Sequence, residues 1–382
     1  MRKIVFGKPI IGDEEKKAIM DVLEGPILVH GPRSVEFEEA FARYTNADYA
    51  VSLSSCTAGL HLSYFYLGIG PGDEVIVPAQ THVATAHAVE FCGAKPIFVD
   101  AERETGNIDI DLIESSINEK TRAISIVHFL GMPVNMDKIS EIARKHNVFV
   151  VEDCALAIGT QFKGVHAGLH GDVGCFSFYP VKHFTTAEGG MLITRDKEIA
   201  DKIKRQKAFG VDRHMGERSV PGVYDVTMLG YNYRMNEIQA VLGIEQIKRI
   251  DGFLNRRKEN YETLSRGLMD ISEVTQFKSC NGDYQNSYYC LSVMLKDSLV
   301  SRRYEIISHL KNNGIGTSVY YPKPVPHFSY YKEKYNYSEN SFPAAAWISS
   351  SSIALPVGPH LNNEDMDYIA QLIKQAIMEV GR

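Results

Sequence analysis

Short β-branched runs recur along the first part of this 382-residue chain, each closed by a turn and separated from the next by a segment with helical spacing. They are Ala50–Leu53, Glu74–Pro78, Pro96–Asp100, Ala123–His128 and Val148–Asp153. Strands that alternate with helices argue for a mostly parallel sheet covered on both faces, an α/β fold. Asp13–Leu23 reads as a capped helix, and Val35–Tyr44 as another, with Phe37, Phe41 and Tyr44 at helical spacing. Ligands of such sheets collect at the carboxyl ends of the strands. Three of the runs end there in a polar residue: Asp100, His128 and Asp153.

Residues 236 to 265 turn strongly helical, from Asn236 through Arg256, Arg257 and Lys258, which suits a long helix joining two domains. Beyond it the pattern restarts. Tyr288–Leu295 reads as a strand, Ser301–Asn312 as a helix, Thr317–Tyr321 as a strand and Asn363–Val380 as a closing helix, together a smaller α+β domain. A single core rarely serves a chain this long, so the expected division is 1–250 and 251–382. The net charge of −6, with both signs interspersed, gives no basic field for nucleic acid and no polybasic cluster for a membrane surface. The six cysteines are too scattered for a zinc site or a disulfide framework, so no metal is expected. The first residues break at Gly7 and Pro9 before a signal-peptide core could form, and no later run approaches a membrane span. The expected location is the cytoplasm.

The run Ser177-Phe178-Tyr179-Pro180-Val181-Lys182-His183-Phe184-Thr185-Thr186-Ala187-Glu188-Gly189-Gly190 sets one lysine among small and turn-forming residues. An amine whose surroundings lower its pKa traps carbonyls, and the longest-lived use of that reactivity is a Schiff base to pyridoxal phosphate. A solvated surface lysine is the ordinary alternative, so the other requirements of the cofactor decide. Its ring nitrogen stays protonated only against a buried carboxylate, a task that suits Asp153 after the apolar run Val148–Val151. Its phosphate needs amides at a helix start plus hydroxyls. The segment from Ser54 to Leu62, with Cys56 and Thr57 at its turn, follows the strand Ala50–Leu53 and offers both, and Ser177 adds a hydroxyl near Lys182. The ring also needs a flat partner, which His82 in Thr81–Thr85 supplies. A turn-capping aspartate, an empty N-cap or a packing histidine would each look similar alone. Their order along one chain argues for a site.

With these residues in place the chain resembles the pyridoxal-phosphate sugar aminotransferases of the DegT/DnrJ/EryC1/StrS group. The resemblance runs from Gly31-Pro32 and Glu36–Glu38 through Gly68–Pro78, Glu152-Asp153, Ser177–Gly190 and Gly230-Tyr231-Asn232-Tyr233-Arg234-Met235, to Tyr321-Pro322, His327 and Leu355-Pro356. It implies a fold type I transferase, like aspartate aminotransferase, with a mostly parallel seven-stranded sheet between helices in a large cofactor-binding domain. It also implies that Lys182 is the Schiff-base lysine, Asp153 the pyridine-nitrogen partner and His82 the stacking residue. Thr57 and Ser177, with Cys56 beside them, would hold the phosphate. Asn232 would reach the phosphate of a neighbouring subunit, making a homodimer with shared active sites. Candidates for substrate contact are His183, Tyr321 and His327, together with Arg213 and Arg218 in the cation-rich loop Gly210–Arg218, which could equally be a solvated loop.

Two positions depart from the group's pattern: Leu156 stands where a glutamine usually meets the cofactor's phenolic oxygen, and Cys56 where glycine is common. Sugar dehydratases of the same group replace the lysine by histidine, whereas here the histidine is its neighbour, His183. The expected activity is therefore transfer of an amino group from L-glutamate to a keto-sugar, nucleotide-linked, for lipopolysaccharide or other cell-surface polysaccharide. A free keto-sugar acid such as an 8-oxo octulosonate is the alternative substrate. A dehydratase or a cofactor-binding regulator without turnover are the alternative functions.

Overall fold

The computed structural model describes residues 2–212, 220, 222–278 and 280–381. Helices α1 (Asp13–Leu23) and α2 (Pro32–Thr45) precede β1 (Tyr49–Leu53), α3 (Cys56–Tyr66), β2 (Glu74–Pro78), α4 (Val83–Phe91) and β3 (Lys95–Val99). Next come β4 (Thr121–Val127), α5 (Met136–His146), β5 (Phe149–Asp153) and two short strands, β6 (Gln161–Phe162) and β7 (Val165–His166). They lead to β8 (Val173–Ser177), β9 (Gly190–Thr194), α6 (Lys197–Gln206), α7 (Glu237–Ile247) and α8 (Ile250–Leu268). The last part holds β10 (Val274–Gln276), β11 (Tyr284–Gln285), β12 (Leu291–Leu295), α9 (Arg303–Asn312), α10 (Ser329–Tyr335), α11 (Pro343–Ser351), β13 (Ser352–Leu355) and α12 (Asn363–Val380).

Seven strands form the central sheet in the order β1-β9-β8-β5-β4-β2-β3. Five of them, β3, β2, β4, β5 and β8, pair in parallel, and β9 runs antiparallel to both β8 and β1. The direction of β9 follows from its connection. Parallel neighbours need a crossover long enough to carry the chain back across the sheet, whereas residues 178–189 contain no helix and return directly, pairing Ser177 with Gly190. That return leaves Lys182 at the carboxyl end of β8, beside the end of β5.

Phe37, Phe41, Phe176, Phe178 and Phe184 pack on one side of the sheet, and Leu53, Leu60, Val75, Val77 and Phe98 belong to a second cluster. A separate core, with Leu264, Leu291, Val293, Leu310, Ile353, Ile369 and Ile373, surrounds the three-stranded sheet β10-β12-β13. The cores interleave in sequence. Ile4 joins the C-terminal core and pairs with Ile315, while Val325, Tyr331, Ala345 and Ile348 join the core of the large sheet. Asp100 at the end of β3 fixes the latter segment by accepting from the first amides of α11, Ala344 at 2.9 Å and Ala345 at 2.8 Å. We propose that the division near residue 250 is a change of core and not a clean cut in sequence.

Three expected elements differ. The long helix over 236–265 is two helices, broken at Lys248–Arg249, because α7 packs on α1 and α2 while α8 packs on α12. Thr317–Tyr321 makes only one bridge, Ser318 with Ala354, so it does not extend into a strand. The strand expected from Tyr288 starts at Leu291, since the positive φ of Tyr288, 54°, interrupts the extended backbone. No described helix is long and apolar enough to cross a membrane.

Helix α7 approaches α2 so closely that a Cβ on Gly243 would lie 2.5 Å from the ring of Phe37. Gly243→Ala should therefore cost about 1–3 kcal/mol through overpacking. Gly252→Ala on α8, with nothing within 4 Å of the new methyl, should gain about 0.4–1 kcal/mol. Urea unfolding followed by far-UV circular dichroism measures both, and equal effects would contradict the packing described.

Candidate active site

The carboxyl ends of β5 and β8, the start of α3 and the start of α4 converge. Asp153 closes β5, 4% exposed, with Oδ2 accepting from Thr85 Oγ1 at 2.8 Å and Oδ1 from the Ala155 amide at 3.1 Å. It makes no ion pair among the described residues, so a buried carboxylate is left to face whatever lies over the strand ends. Glu152, one residue earlier, points the other way and is saturated. It accepts from the amides of Gly168, His170 and Gly171 at 2.7, 2.8 and 2.6 Å and from His128 Nε2 at 2.9 Å. This alternation is the pleat of a strand buried on both faces, and the Glu152 bonds brace the strand from behind.

Lys182 lies in a turn in which its own amide donates to the Tyr179 carbonyl at 2.9 Å. Its Nζ sits 5.6 Å from the centre of the Tyr289 ring. Burial holds the ε-amine below the usual lysine range, opposed by the fields of Cys56 and Asp153. The net direction favours the neutral amine, the form that attacks carbonyls and accepts protons.

Helix α3 begins with Cys56 and Thr57, whose amides have no upstream carbonyl within the helix; the N-cap Ser55 hydroxyl takes the Ala58 amide at 3.1 Å. Strand β9 runs beneath this turn because Gly190 has no side chain. A Cβ there would lie 2.3 Å from the Ser55 carbonyl carbon and 2.5 Å from the Cys56 nitrogen. Ser177 ends β8 with its hydroxyl 3.4 Å from the Tyr179 amide, and it is largely buried. His82 caps α4, with Nδ1 accepting from the Ala84 amide at 3.2 Å, and lies edge-on to Tyr321 at 5.7 Å between ring centres. A helix N-terminus for a phosphate, a buried carboxylate for a protonated ring nitrogen, a flat ring and an amine whose pKa is lowered by burial together fit pyridoxal phosphate.

The family model for the DegT/DnrJ/EryC1/StrS aminotransferases matches residues 9–374. The chain belongs to this family. It is 37% identical over 379 residues to the spore coat polysaccharide biosynthesis protein SpsC of Bacillus subtilis, covering 97% of this chain and 96% of that protein. It is 35% identical over 377 residues to the GDP-perosamine synthase of Escherichia coli O157:H7, covering 98% and 99%. Its fold superposes on the PMP and PLP forms of Spr1654 from Streptococcus pneumoniae with TM-scores of 0.94 and 0.93, each at 30% identity over 99% of this chain and all of that one. The protein is a pyridoxal-phosphate-dependent aminotransferase of fold type I.

The structure brings Lys182, Asp153, Cys56 and His82 into one another's electrostatic reach. Cys56 lies within helix α3 and has no positive φ, so the backbone there does not require glycine. Its thiol faces Asp153 Oδ1 at 3.9 Å and the Cys175 carbonyl at 3.4 Å. Leu156 is buried with Phe129, Leu130, Tyr289 and Cys290, an apolar environment with Tyr320 and Tyr321 at its edge. Asn232 is exposed, its Oδ1 accepting from Arg234 Nε at 2.9 Å. His183 is 2% exposed and turned inward, with Nε2 on the Ser287 carbonyl at 3.1 Å, which leaves it little open face for a substrate. His327 is half-buried beside Phe342. Arg213 and Arg218 lie outside the described residues.

Thr85, Tyr289, Arg257 and Ser287 escaped the sequence reading. Thr85 stands one turn after His82 at the start of α4, a spacing that could have singled out its hydroxyl. The others come from the C-terminal part and reach Lys182 only through tertiary packing. Asp153→Asn keeps the shape and the Thr85 contact but removes the charge. Cofactor binding should persist while the half-reaction with L-glutamate slows by about 10²-fold or more. A stopped-flow trace at parental speed would show that Asp153 is only structural.

Proposed function

We propose that the protein moves the amino group of L-glutamate onto a nucleotide-linked keto-deoxysugar that supplies a cell-surface polysaccharide or lipopolysaccharide, acting in the cytoplasm as a homodimer. The observation that carries the reading is a neutral-leaning Lys182 amine beside the buried Asp153 carboxylate at the ends of β8 and β5. The names of the relatives support the substrate class, one a GDP-sugar synthase and one a polysaccharide biosynthesis protein.

Pyridoxal phosphate, when bound, supplies an electrophilic aldehyde and a ring that accepts an electron pair. The amides and hydroxyls at the start of α3, with Thr57 and Ser177, hold its phosphate. Asp153 keeps a proton on the ring nitrogen, and Thr85 keeps the carboxylate aimed. His82, with Tyr321 beside it, would lie against the cofactor ring. Lys182 Nζ would take the proton from the α-carbon of the amino donor and hold it, and burial around it excludes the water that would compete for that proton. Retention of lysine at this position favours transamination over dehydration.

Incubation with ¹⁵N-glutamate and a panel of nucleotide-linked 3-keto and 4-keto sugars, alongside a free keto-sugar acid, tests the substrate. Mass spectrometry should find ¹⁵N in one nucleotide-linked product. Label only in the free acid would overturn the assignment. Lys182→Ala should remain folded and lose on the order of 10²–10⁴-fold in turnover or more, since it removes nucleophile and proton carrier together. Activity within tenfold of the parent would sink its role.

The dimer reading rests on Asn232. It is exposed on a segment whose neighbours Phe209, Val223, Tyr224, Val226 and Leu229 also expose large apolar side chains, a surface that suits burial against a second copy. If its amide serves the partner's phosphate, subunits carrying Lys182→Ala and subunits carrying Asn232→Ala should complement after exchange. Each heterodimer would have one site with both lesions and one with neither. Mixed activity should exceed either parent, and verified exchange without recovery would place Asn232 in its own subunit's site. A single charge-assisted bond is worth about 1.5–3 kcal/mol, enough for the Asn232→Ala parent to start low.

A further inference from the structure

Two buried side chains tie the turn carrying Lys182 to the C-terminal half of the chain, and their remaining valences match. His183 bonds the Ser287 carbonyl through Nε2 at 3.1 Å. A carbonyl only accepts, so Nε2 carries the hydrogen. Burial, and next the Arg257 guanidinium, hold the imidazole well below its ordinary pKa. The ring is therefore neutral and Nδ1 offers a lone pair. That nitrogen is buried and has no hydrogen-bond partner among the described residues.

Arg257, on α8 and 5% exposed, donates Nη1 to the Tyr289 carbonyl at 2.8 Å and Nη2 to the Lys182 carbonyl at 3.4 Å. Its Nε–H is also buried without an acceptor. Leaving such buried groups unmet is costly, yet this pair is complementary: one lone acceptor and one lone donor. Both side chains line the same small cavity, with Pro9, Pro180 and Gln246 among its other walls. It has about 10 Å³ of room for the centre of a water, close to the least that one molecule needs.

We propose that a single buried water occupies this cavity, accepting from Arg257 Nε–H and donating to His183 Nδ1, and that His183 and Arg257 are thereby positioning residues for Lys182. The lock extends beyond the turn. The Ser287 hydroxyl donates to the Leu156 carbonyl at 3.0 Å and its amide to the Gly131 carbonyl at 3.3 Å. The lysine turn is thus held against the loop that leaves Asp153. The water site stands independently of the substrate; its effect on turnover rests on Lys182 being the reacting amine.

A crystal structure of the holoenzyme that orders internal water should show one molecule within about 2.6–3.2 Å of both nitrogens. A cavity without density, or either nitrogen bonded to a protein group instead, overturns the proposal. The kinetic test uses His183→Gln, which keeps an N–H for the Ser287 carbonyl, and Arg257→Lys, which keeps a cation for the Tyr289 carbonyl. Each should lower the rate of the half-reaction with L-glutamate roughly threefold or more, with KM for glutamate unchanged and the visible band of bound cofactor retained, and the double variant should be no slower than the worse single, because both cut one bridge. Independent, multiplicative losses, a change in KM in place of rate, or no loss in either single variant would overturn the positioning role. Because the half-reaction needs only glutamate, the result is readable even if the keto-sugar assignment fails.

Discussion

The site depends on the contact between β9 and the first turn of α3. A strand passing under a helix start meets the bulk of that turn, and at Gly190 the clearance is less than any Cβ could occupy. The missing side chain lets β9 pair with both β1 and β8 while the amides of Cys56 and Thr57 stay close over the sheet edge. The same strand is where the helix-free run after β8 must end. One glycine therefore brings the start of α3 and the lysine turn to a common edge, and the antiparallel direction of β9 serves that placement as well as following from its short connection.

Charge is handled differently inside the site and outside it. On the surface, carboxylates and cations pair at helical spacing, as Lys16 with Asp13 or Arg302 with Glu305, contacts that are worth little in high dielectric. Inside, Asp153, Lys182 and Arg257 are withdrawn from water without an ion-pair partner among the described residues. Asp153 is steadied by a hydroxyl and an amide, Arg257 by backbone carbonyls, and the Lys182 amine faces an aromatic ring, its pKa lowered by burial. Burying an unpaired charge is unfavourable, and sites that retain such groups hold them for a ligand that completes them. The direction at Lys182 is the chemically useful one, since burial lowers an amine's pKa.

Five of the seven strands of the sheet, all but β8 and β9, were legible because they are short apolar runs ended by turns. Asp153 and the α3 start were read from strand ends, and Lys182 from the small and turn-forming residues around it. What escaped is what packing decides. The helix over 236–265 has an unbroken helical pattern, and its break at Lys248–Arg249 comes from α7 and α8 serving different cores. Thr317–Tyr321 has strand composition but meets one partner rung. Tyr289 and Arg257 reach Lys182 from sequence positions more than 70 residues away, a proximity that composition and periodicity do not encode.

This division bears on where substrate selection can reside. The groups around the cofactor's place already have internal obligations: Asp153 to Thr85, His82 to the α4 cap, Ser55 to Ala58. On the proposed reading they would serve the amino-transfer chemistry whatever the keto substrate. Discrimination between sugars requires polar groups that are left unpaired when the wrong substrate binds, so it must come from side chains with spare valence at the mouth. His327 sits just before α10 in the segment that α10 and α11 hold against the large sheet, and its Nε2 is buried with no hydrogen-bond partner among the described residues. The chemistry is thus built on strand ends, whose geometry the sheet fixes. On the same reading specificity would fall to a segment anchored by Asp100 on the start of α11. That separation accounts physically for one family serving different sugars on one fold.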